Sequence, residues 1–225
     1  MKTAIVIPAY NASATIGKIV NKCLALNSTV IVIDNDSTDR TPYEAYSKGV
    51  ILFKETVRGQ GAATRRGWSI AIKIGCDTIV TLDSDGQHNP EEVPSLLQPI
   101  KDDIADIVIG SRFITAYKAP KYRKFGIDII NFLYNVFSGD KLTDSQCCFR
   151  AYSEKALSAL TIEENGFGFS TELPIKARKL GLRVVEVPVS CIYHSNRRMN
   201  STLNPIKHGL IVAWKTVYWR LKLWN

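Results

Sequence analysis

Five short runs of aliphatic residues, each followed by a stretch with helical spacing, confine this chain to a small set of folds. The runs are Lys2–Ile7, Val30–Ile33, Val50–Phe53, Thr78–Val80 and Ile107–Ile109. They are continuous rather than alternating, so each predicts a strand covered on both faces. Between the first two, Ile16, Ile19, Val20, Cys23 and Leu24 recur at helical spacing, predicting a helix over about Ser13–Leu26. A short helix is expected after Thr41-Pro42, a longer one from Gly61 through Ile74, and another from Pro90 to Lys101. A βαβαβαβαβ series with short loops calls for a mostly parallel sheet with helices on both faces. The expected class is therefore an α/β, Rossmann-like fold, and 225 residues fit one domain.

The second half is less regular. It predicts a helix over Phe125–Phe137, a strand over Ser145–Tyr152 and a helix over Phe169–Leu180 ended by Gly181. Val184–Cys191 reads as an edge strand because Pro188 interrupts it. A last helix is expected over about Pro205–Trp224. In the first strand Pro8 is expected to stop the ladder.

Chemistry concentrates where strands end. Asp83 and Asp85 follow the fourth strand, one residue apart, and alternation aims both to the same side. Two close carboxylates repel unless a positive partner intervenes, and a hard divalent cation that also binds phosphate oxygens would serve. An Asp-rich turn without a ligand is the alternative. Asn11, Asp34 and Asp36 follow the first and second strands, and in a parallel sheet such loops converge on one crevice. Asp34 can accept hydrogen bonds from a base or ribose, or can form an Asx turn ahead of Thr38-Asp39. Neither G-x-G-x-x-G after the first strand nor G-x-x-x-x-G-K-[ST] occurs, so no common glycine-rich phosphate loop is available.

The net charge of +8 is unevenly spread: no acid lies between Asp106 and Asp128 or after Glu186, while both tracts carry several Lys and Arg. Such tracts suit an anionic partner or a solvated basic face. No aromatic-interleaved RNA-binding motif is present, and nucleic acid is not expected as a partner. Five cysteines without C-x-x-C spacing read as reduced core residues of a reducing compartment. No signal peptide is expected, and no apolar run reaches the ~18–20 residues that span a bilayer.

Taken in order, Pro8-Ala9-Tyr10-Asn11, Asp34-Asn35-Asp36-Ser37-Thr38-Asp39, Asp83-Ser84-Asp85-Gly86-Gln87-His88 and Gly110-Ser111-Arg112 resemble the inverting GT-A glycosyltransferases of family 2. The nearer resemblance is to the dolichyl- and polyprenyl-phosphate mannosyl- and glucosyltransferases. Thr143-Asp144-Ser145-Gln146-Cys147-Cys148-Phe149-Arg150 is similar to that branch's D-x-x-S-G-F-R segment, and Glu172 matches its acidic helix position. Tyr193–Arg198 followed by Ser201–Pro205 resembles its acceptor loop.

The resemblance implies one GT-A domain over 1–225, with a nucleotide-sugar and metal half to about 112, an acceptor half over about 113–203, and a membrane-facing or docking helix over about 204–225. It implies a nucleotide-sugar held by Pro8, Tyr10, Asn11, Asp34, Asp36, Arg58, Asp83 and Ser84. Mg²⁺ or Mn²⁺ would be held by Asp83, Asp85 and Gln87. Arg112, Arg123, Ser145, Arg197 and Arg198 would hold the acceptor phosphate, and Asp85, Arg112, Glu172 and Arg197 would be catalytic. The sequence departs from the family pattern at Asn35, where an Asp is usual, at Asp36, where a Gly is usual, at Gln60, where G-K-G has a Lys, and at Cys148, where a Gly is usual.

A nucleoside diphosphate leaving group accumulates negative charge, which a metal and arginines stabilise. A hydroxyl acceptor would need a base, for which Glu172 is the candidate, whereas a lipid monophosphate is already ionised. Glu172 also has a structural reading, as an internal partner of Arg150 or Arg178, and the sequence favours it. In the last helix Ile206, Leu210, Ala213, Trp214, Val217 and Leu221 form one apolar face and Val212, Trp219 and Leu223 a second. One face can pack on the domain and the other enter a headgroup layer. The expected activity is hexose transfer from a GDP-mannose- or UDP-glucose-type donor to a polyprenyl or dolichyl phosphate, by a peripheral protein on the cytoplasmic side of the membrane. The alternatives are transfer to a carbohydrate hydroxyl and a non-catalytic basic membrane-binding domain.

Overall fold

The computed structural model of the chain describes residues 1–47, 49–114, 121–136, 141–192 and 205–223, leaving aside the side chains of 121–123, 125 and 205–208. The strands are β1 (Thr3–Ala9), β2 (Thr29–Asp34), β3 (Val50–Lys54), β4 (Thr78–Thr81), β5 (Ile107–Ser111), β6 (Arg150–Tyr152) and β7 (Val184–Pro188). They form one sheet in the order β3-β2-β1-β4-β6-β5-β7. The helices are α1 (Ile16–Leu24), α2 (Thr41–Ala45), α3 (Gln60–Lys73), α4 (Val93–Lys101), α5 (Lys121–Asn135), α6 (Glu154–Ala159), α7 (Phe169–Lys179) and α8 (Pro205–Lys222).

The runs of β1, β2, β4 and β5 fill the two-sided core as expected, whereas β3, at the edge of the sheet, is half-buried at best and leaves Phe53 exposed. Ile5, Ile7, Ile31, Ile33, Ile79 and Val80 are fully buried. β1 to β4 are parallel, with β2 and β3 on one side of β1 and β4 on the other. The chain therefore changes direction across the sheet beside β1, and the crevice outside the carboxyl ends of β1 and β4 is where such sheets bind ligands.

Three further expectations are corrected. Pro8 does not stop β1; it pairs with Ile33 in register. Val6 faces β4, since its carbonyl accepts from Leu82 N (3.0 Å), and Pro8 shares that parity. The missing Pro8 N–H thus points where β4 has already ended, so it costs no ladder bond. The strand expected over Ser145–Tyr152 shrinks to Arg150–Tyr152, because 145–149 spend their polar groups on side-chain contacts below. β6 is also antiparallel to both neighbours, with Thr81 opposite Arg150 and Ile109 opposite Arg150. The expected helix start at Pro90 is a 3-10 turn (Pro90–Glu92) capped by Asn89, and α4 follows it.

The last helix splits its two faces as the wheel predicts for 212, 219 and 223. Val212, Thr216 and Trp219 are buried, Leu223 packs on the core, and Leu210 (68% exposed), Trp214 (69%) and Leu221 (69%) face outward. α5 lies against α8 and adds exposed Ile129 and Phe132. Among the described residues no helix is long and apolar enough to cross a membrane. All five cysteines are free, four of them buried.

Candidate active site

The loops after β1 and β2 are knitted to each other. Asn11, at φ 49°, donates its N–H to Ser37 Oγ (3.0 Å) and accepts from Thr38 N on Oδ1 (2.9 Å). Asp39 accepts from Thr41 N and Ser13 N, and Thr41 Oγ1 accepts from Ala12 N (2.7 Å). This lattice holds Asp34 at the crevice floor. Asp34 is buried, its Oδ2 reaches only Ser37 N at 3.4 Å, and its Oδ1 has no partner among the described residues. A buried acceptor without a protein donor is costly, and a water or a ligand N–H or O–H would satisfy it.

Asn35 explains itself once its neighbours are known. Its Nδ2 donates to Glu55 O (3.1 Å) and Val57 O (2.8 Å), and its Oδ1 accepts from Gly59 N (2.7 Å). A carboxylate has no hydrogen to give two carbonyls, so the amide belongs there. Asp36, at φ 61°, pairs with Lys54 (2.9 Å) and Arg58 (3.5 Å), which hold its carboxyl below the ordinary range. Arg58 also donates to Tyr10 Oη (3.1 Å). Tyr10, Arg58 and Asp36 thus share one rim of the crevice, while Pro8 lies within β1 below it.

Opposite stands the loop after β4. Gln60 Nε2, from the first turn of α3, donates to Asp83 Oδ1 (2.6 Å). Burial first, and the Asp85 charge second, push the Asp83 carboxyl up to about 7. His88 Nδ1 is 4.0 Å from Asp83 Oδ2, but the two are not an ion pair: burial drives the imidazole down to about 3, so it stays neutral, and 4.0 Å is too long for a hydrogen bond. His88 instead stacks on Phe149, with its Nε2 3.7 Å from Cys147 Sγ. Asp85 Oδ1 accepts from Gln87 N (2.9 Å), and Ser84 O accepts from Thr15 Oγ1 (2.6 Å). Gln87 is buried, and its backbone carbonyl accepts from Ile192 N (2.8 Å).

No three His, Cys, Asp or Glu side chains converge as a ready metal cage among the described residues. Asp83, Asp85 and the Gln87 amide are hard oxygen donors, and the desolvation and, second to it, the repulsion from Asp85 that raise Asp83 are what a divalent cation would offset. Such a set fits a cation whose remaining positions are filled by phosphate oxygens.

Arg112 follows β5 and forms a bidentate pair with the fully buried Asp144, Nε to Oδ2 at 2.6 Å and Nη2 to Oδ1 at 2.8 Å. Glu186 of β7 accepts from Thr143 N (2.8 Å) and Asp144 N (2.8 Å), fixing that carboxylate from behind. Ser145 is buried and bonded to Asn131 Oδ1 through both N (3.1 Å) and Oγ (2.7 Å), so it is turned inward rather than presented to the crevice. Arg150 is buried and donates to the Cys147, Ser145 and Ser170 carbonyls. It pins the segment that was expected to be strand.

Glu172 is fully buried in α7. Its Oε1 accepts from Glu163 N (2.7 Å) and pairs with Lys176 (2.7 Å), and its Oε2 accepts from Glu164 N (2.9 Å). Its partners are thus a loop backbone and Lys176, not Arg150 or Arg178. The side chain of Arg123, and Arg197 and Arg198 altogether, lie outside the described residues. Sequence reasoning passed over Gln60, Asp144, Asn35 and Glu186 as organisers. The available signal was a polar residue against a strand end or between two glycines.

Residues 4–161 match the family model described as Glycosyl transferase family 2. The chain is 31% identical over 248 residues to the undecaprenyl-phosphate mannosyltransferase of Micrococcus luteus, across 99% of this chain and 100% of that protein. It is 33% identical over 213 residues to a UDP-N-acetylglucosamine–dolichyl-phosphate N-acetylglucosaminyltransferase of Methanococcus voltae, across 84% and 85%. Among solved structures, glucosyl-3-phosphoglycerate synthase from Mycobacterium tuberculosis, in complex with Mn²⁺, UDP and phosphoglyceric acid, superposes with a TM-score of 0.76 over 99% of this chain and 78% of that one. At 20% identity that likeness is one of fold.

Proposed function

The chain belongs to glycosyl transferase family 2, and we propose that it transfers a hexose, with inversion, from a nucleotide-sugar to a polyprenyl or dolichyl phosphate at the cytoplasmic membrane face. The observation that carries this reading is the Asp83–Asp85 pair just after β4, at the same carboxyl edge of the parallel sheet as the buried, unpartnered Asp34 oxygen at the end of β2. Asp34 Oδ1 would accept from the base or ribose, with Tyr10, Asn11, Asp36 and Arg58 lining that rim and Ser84 on the loop opposite.

Asp85, Asp83 and Gln87 would hold Mg²⁺ or Mn²⁺, which when bound supplies charge neutralisation for a departing nucleoside diphosphate. Gln60 orients Asp83, and Asp144 holds Arg112 as a planar donor at the rim of β5. Relatives named for both mannosyl and N-acetylglucosaminyl transfer make the sugar a matter for assay, and a GDP-mannose- or UDP-glucose-type donor is the starting choice.

Two observations favour a lipid phosphate over a sugar hydroxyl. Both oxygens of Glu172, the carboxylate that a hydroxyl acceptor would use as base, are taken by the loop backbone. Leu210, Trp214 and Leu221 of α8 face outward, and Phe132 of the neighbouring α5 is exposed as well, large apolar side chains suited to a headgroup boundary. Purified protein should convert one labelled sugar nucleotide of a panel, with polyprenyl phosphate and Mg²⁺ or Mn²⁺, into an acid-labile lipid-soluble product. Absence of product from every donor defeats the reading.

A further inference from the structure

We infer that α8 is part of the nucleotide end of the site, because it clamps residues 161–166 as the template that sets Gln60 against Asp83. Trp219 and Lys215 of α8 and Glu164 of the loop are thereby positioning residues for the donor. The inference rests on the donor reading above and is tested without lipid or acceptor, so it does not depend on the membrane role of the same helix.

The outer side of the segment is held by charge. Trp219 Nε1 donates to Glu164 Oε1 (3.0 Å), and Lys215 Nζ pairs with the same oxygen (2.7 Å). Lys222 and Lys176 take the two oxygens of Glu163 (2.8 and 2.7 Å). Glu172 closes the grip from α7 through the two backbone N–H groups already described.

The inner side meets α3 without intervening side chains. A Cβ at Gly59, φ 129°, would overlap the Asn165 carbonyl, and one at Gly61 would overlap the Glu164 carbonyl. Ala62 N donates to Asn165 O (3.0 Å), and Arg65 donates to Glu164 O (3.0 Å) and to Asn165 Oδ1. Backbone thus lies directly on backbone, so a displacement of 164–166 is felt by the first turn of α3. That turn carries Gln60, bonded to Asp83, and Gly59, whose N–H goes to Asn35. Both rims of the nucleotide crevice are therefore referenced to one segment that α8 holds.

Equilibrium binding of UDP and of GDP, each with Mn²⁺, to the full chain in lipid-free buffer tests this. Glu164→Ala should weaken binding about tenfold, the effect of ~1.4 kcal/mol lost from a charge-assisted contact. Trp219→Phe, which keeps an aromatic ring at the site but removes the pyrrole half with its N–H, should weaken it about threefold, on the order of half that energy. In a Gln60→Ala background, Glu164→Ala should add less than about twofold, since residues acting through one contact are non-additive. If Glu164→Ala does not fold, the Trp219→Phe and Gln60→Ala pair runs the same cycle. Unchanged nucleotide binding in the variants, or equal losses in both backgrounds, overturns the inference. Failure of the unmodified chain to bind either nucleotide overturns the donor reading and this one with it.

Discussion

Glu172→Gln separates a base from an anchor. The carboxylate accepts Glu163 N and Glu164 N on different oxygens in a fully buried setting. An amide keeps one acceptor and turns an NH₂ toward the other donor, leaving one buried N–H without an acceptor. That costs about 1–3 kcal/mol. Lys176 keeps Glu163 and the Thr161 carbonyl, so loss of its pairing adds little. For a protein of this length each kcal/mol moves the thermal midpoint by about 2–4 °C, so a fall of about 4–8 °C is expected for a mid-range cost. Turnover per folded molecule, measured well below the transition at saturating donor and acceptor, should remain within about threefold, because on the anchor account no proton transfer passes through Glu172. Removal of a general base would instead cost about 10²–10⁴-fold. A midpoint unchanged within a degree together with a hundredfold loss of turnover refutes the anchor account and restores the hydroxyl-acceptor chemistry.

Asp106 is buried with Arg183 and Lys155 around it, and its carboxyl is lowered from 3.8 to about 2, chiefly by the Arg183 hydrogen bonds. A depressed folded value means stability that is complete above the unfolded pKa and lost as pH falls toward 2. Asp106→Asn should therefore lower the urea midpoint by an amount equivalent to about 2 kcal/mol at pH 6, with the gap to the unmodified chain closing near pH 2. Asn35→Asp places a carboxylate against the Glu55 and Val57 carbonyls; a loss of about 2–3 kcal/mol and a raised donor KM are expected from calorimetry and initial rates. Trp214→Ala with Leu221→Ala removes two outward side chains. Thermal stability should move by less than about 1 kcal/mol while co-sedimentation with anionic vesicles drops at least tenfold, since each burial in lipid is worth about 1.5–3 kcal/mol.

Much of the fold was legible because the signal was local. Continuous Val and Ile runs bounded by turns specify strands buried on both faces, and β1 to β5 appear where those runs lie. Neighbour order was not legible. Nothing in Ile107–Ile109 says that Arg150–Tyr152 will lie between it and β4, because that choice depends on how the second half packs. The rim residues of the crevice announced themselves as polar groups at strand ends. Those that organise it did not: Asn35 looked like a departure from a pattern until its three backbone partners were known, and Gln60 looked like a lost lysine until Asp83 was found beneath it. Ser145 shows the converse, a motif residue whose hydroxyl turns inward to Asn131.

The placement of β6 has a consequence for the order in which the chain can be assembled. Among the described residues, 1–111 hold five strands, yet β5 has no partner among the other four and pairs with β6 and β7. Until Arg150–Tyr152 arrives, β4 ends the first sheet half with an open, unpaired edge, and β5 is stranded. A three-residue strand some forty residues downstream of β5 closes both at once. On a ribosome the first four strands can dock as they emerge, but the sheet remains a template for stray pairing through the synthesis of that interval. The shortest of the described strands is thus the keystone in time, and weakening β6 should show first as aggregation during expression, before any loss of catalytic competence in the molecules that finish folding.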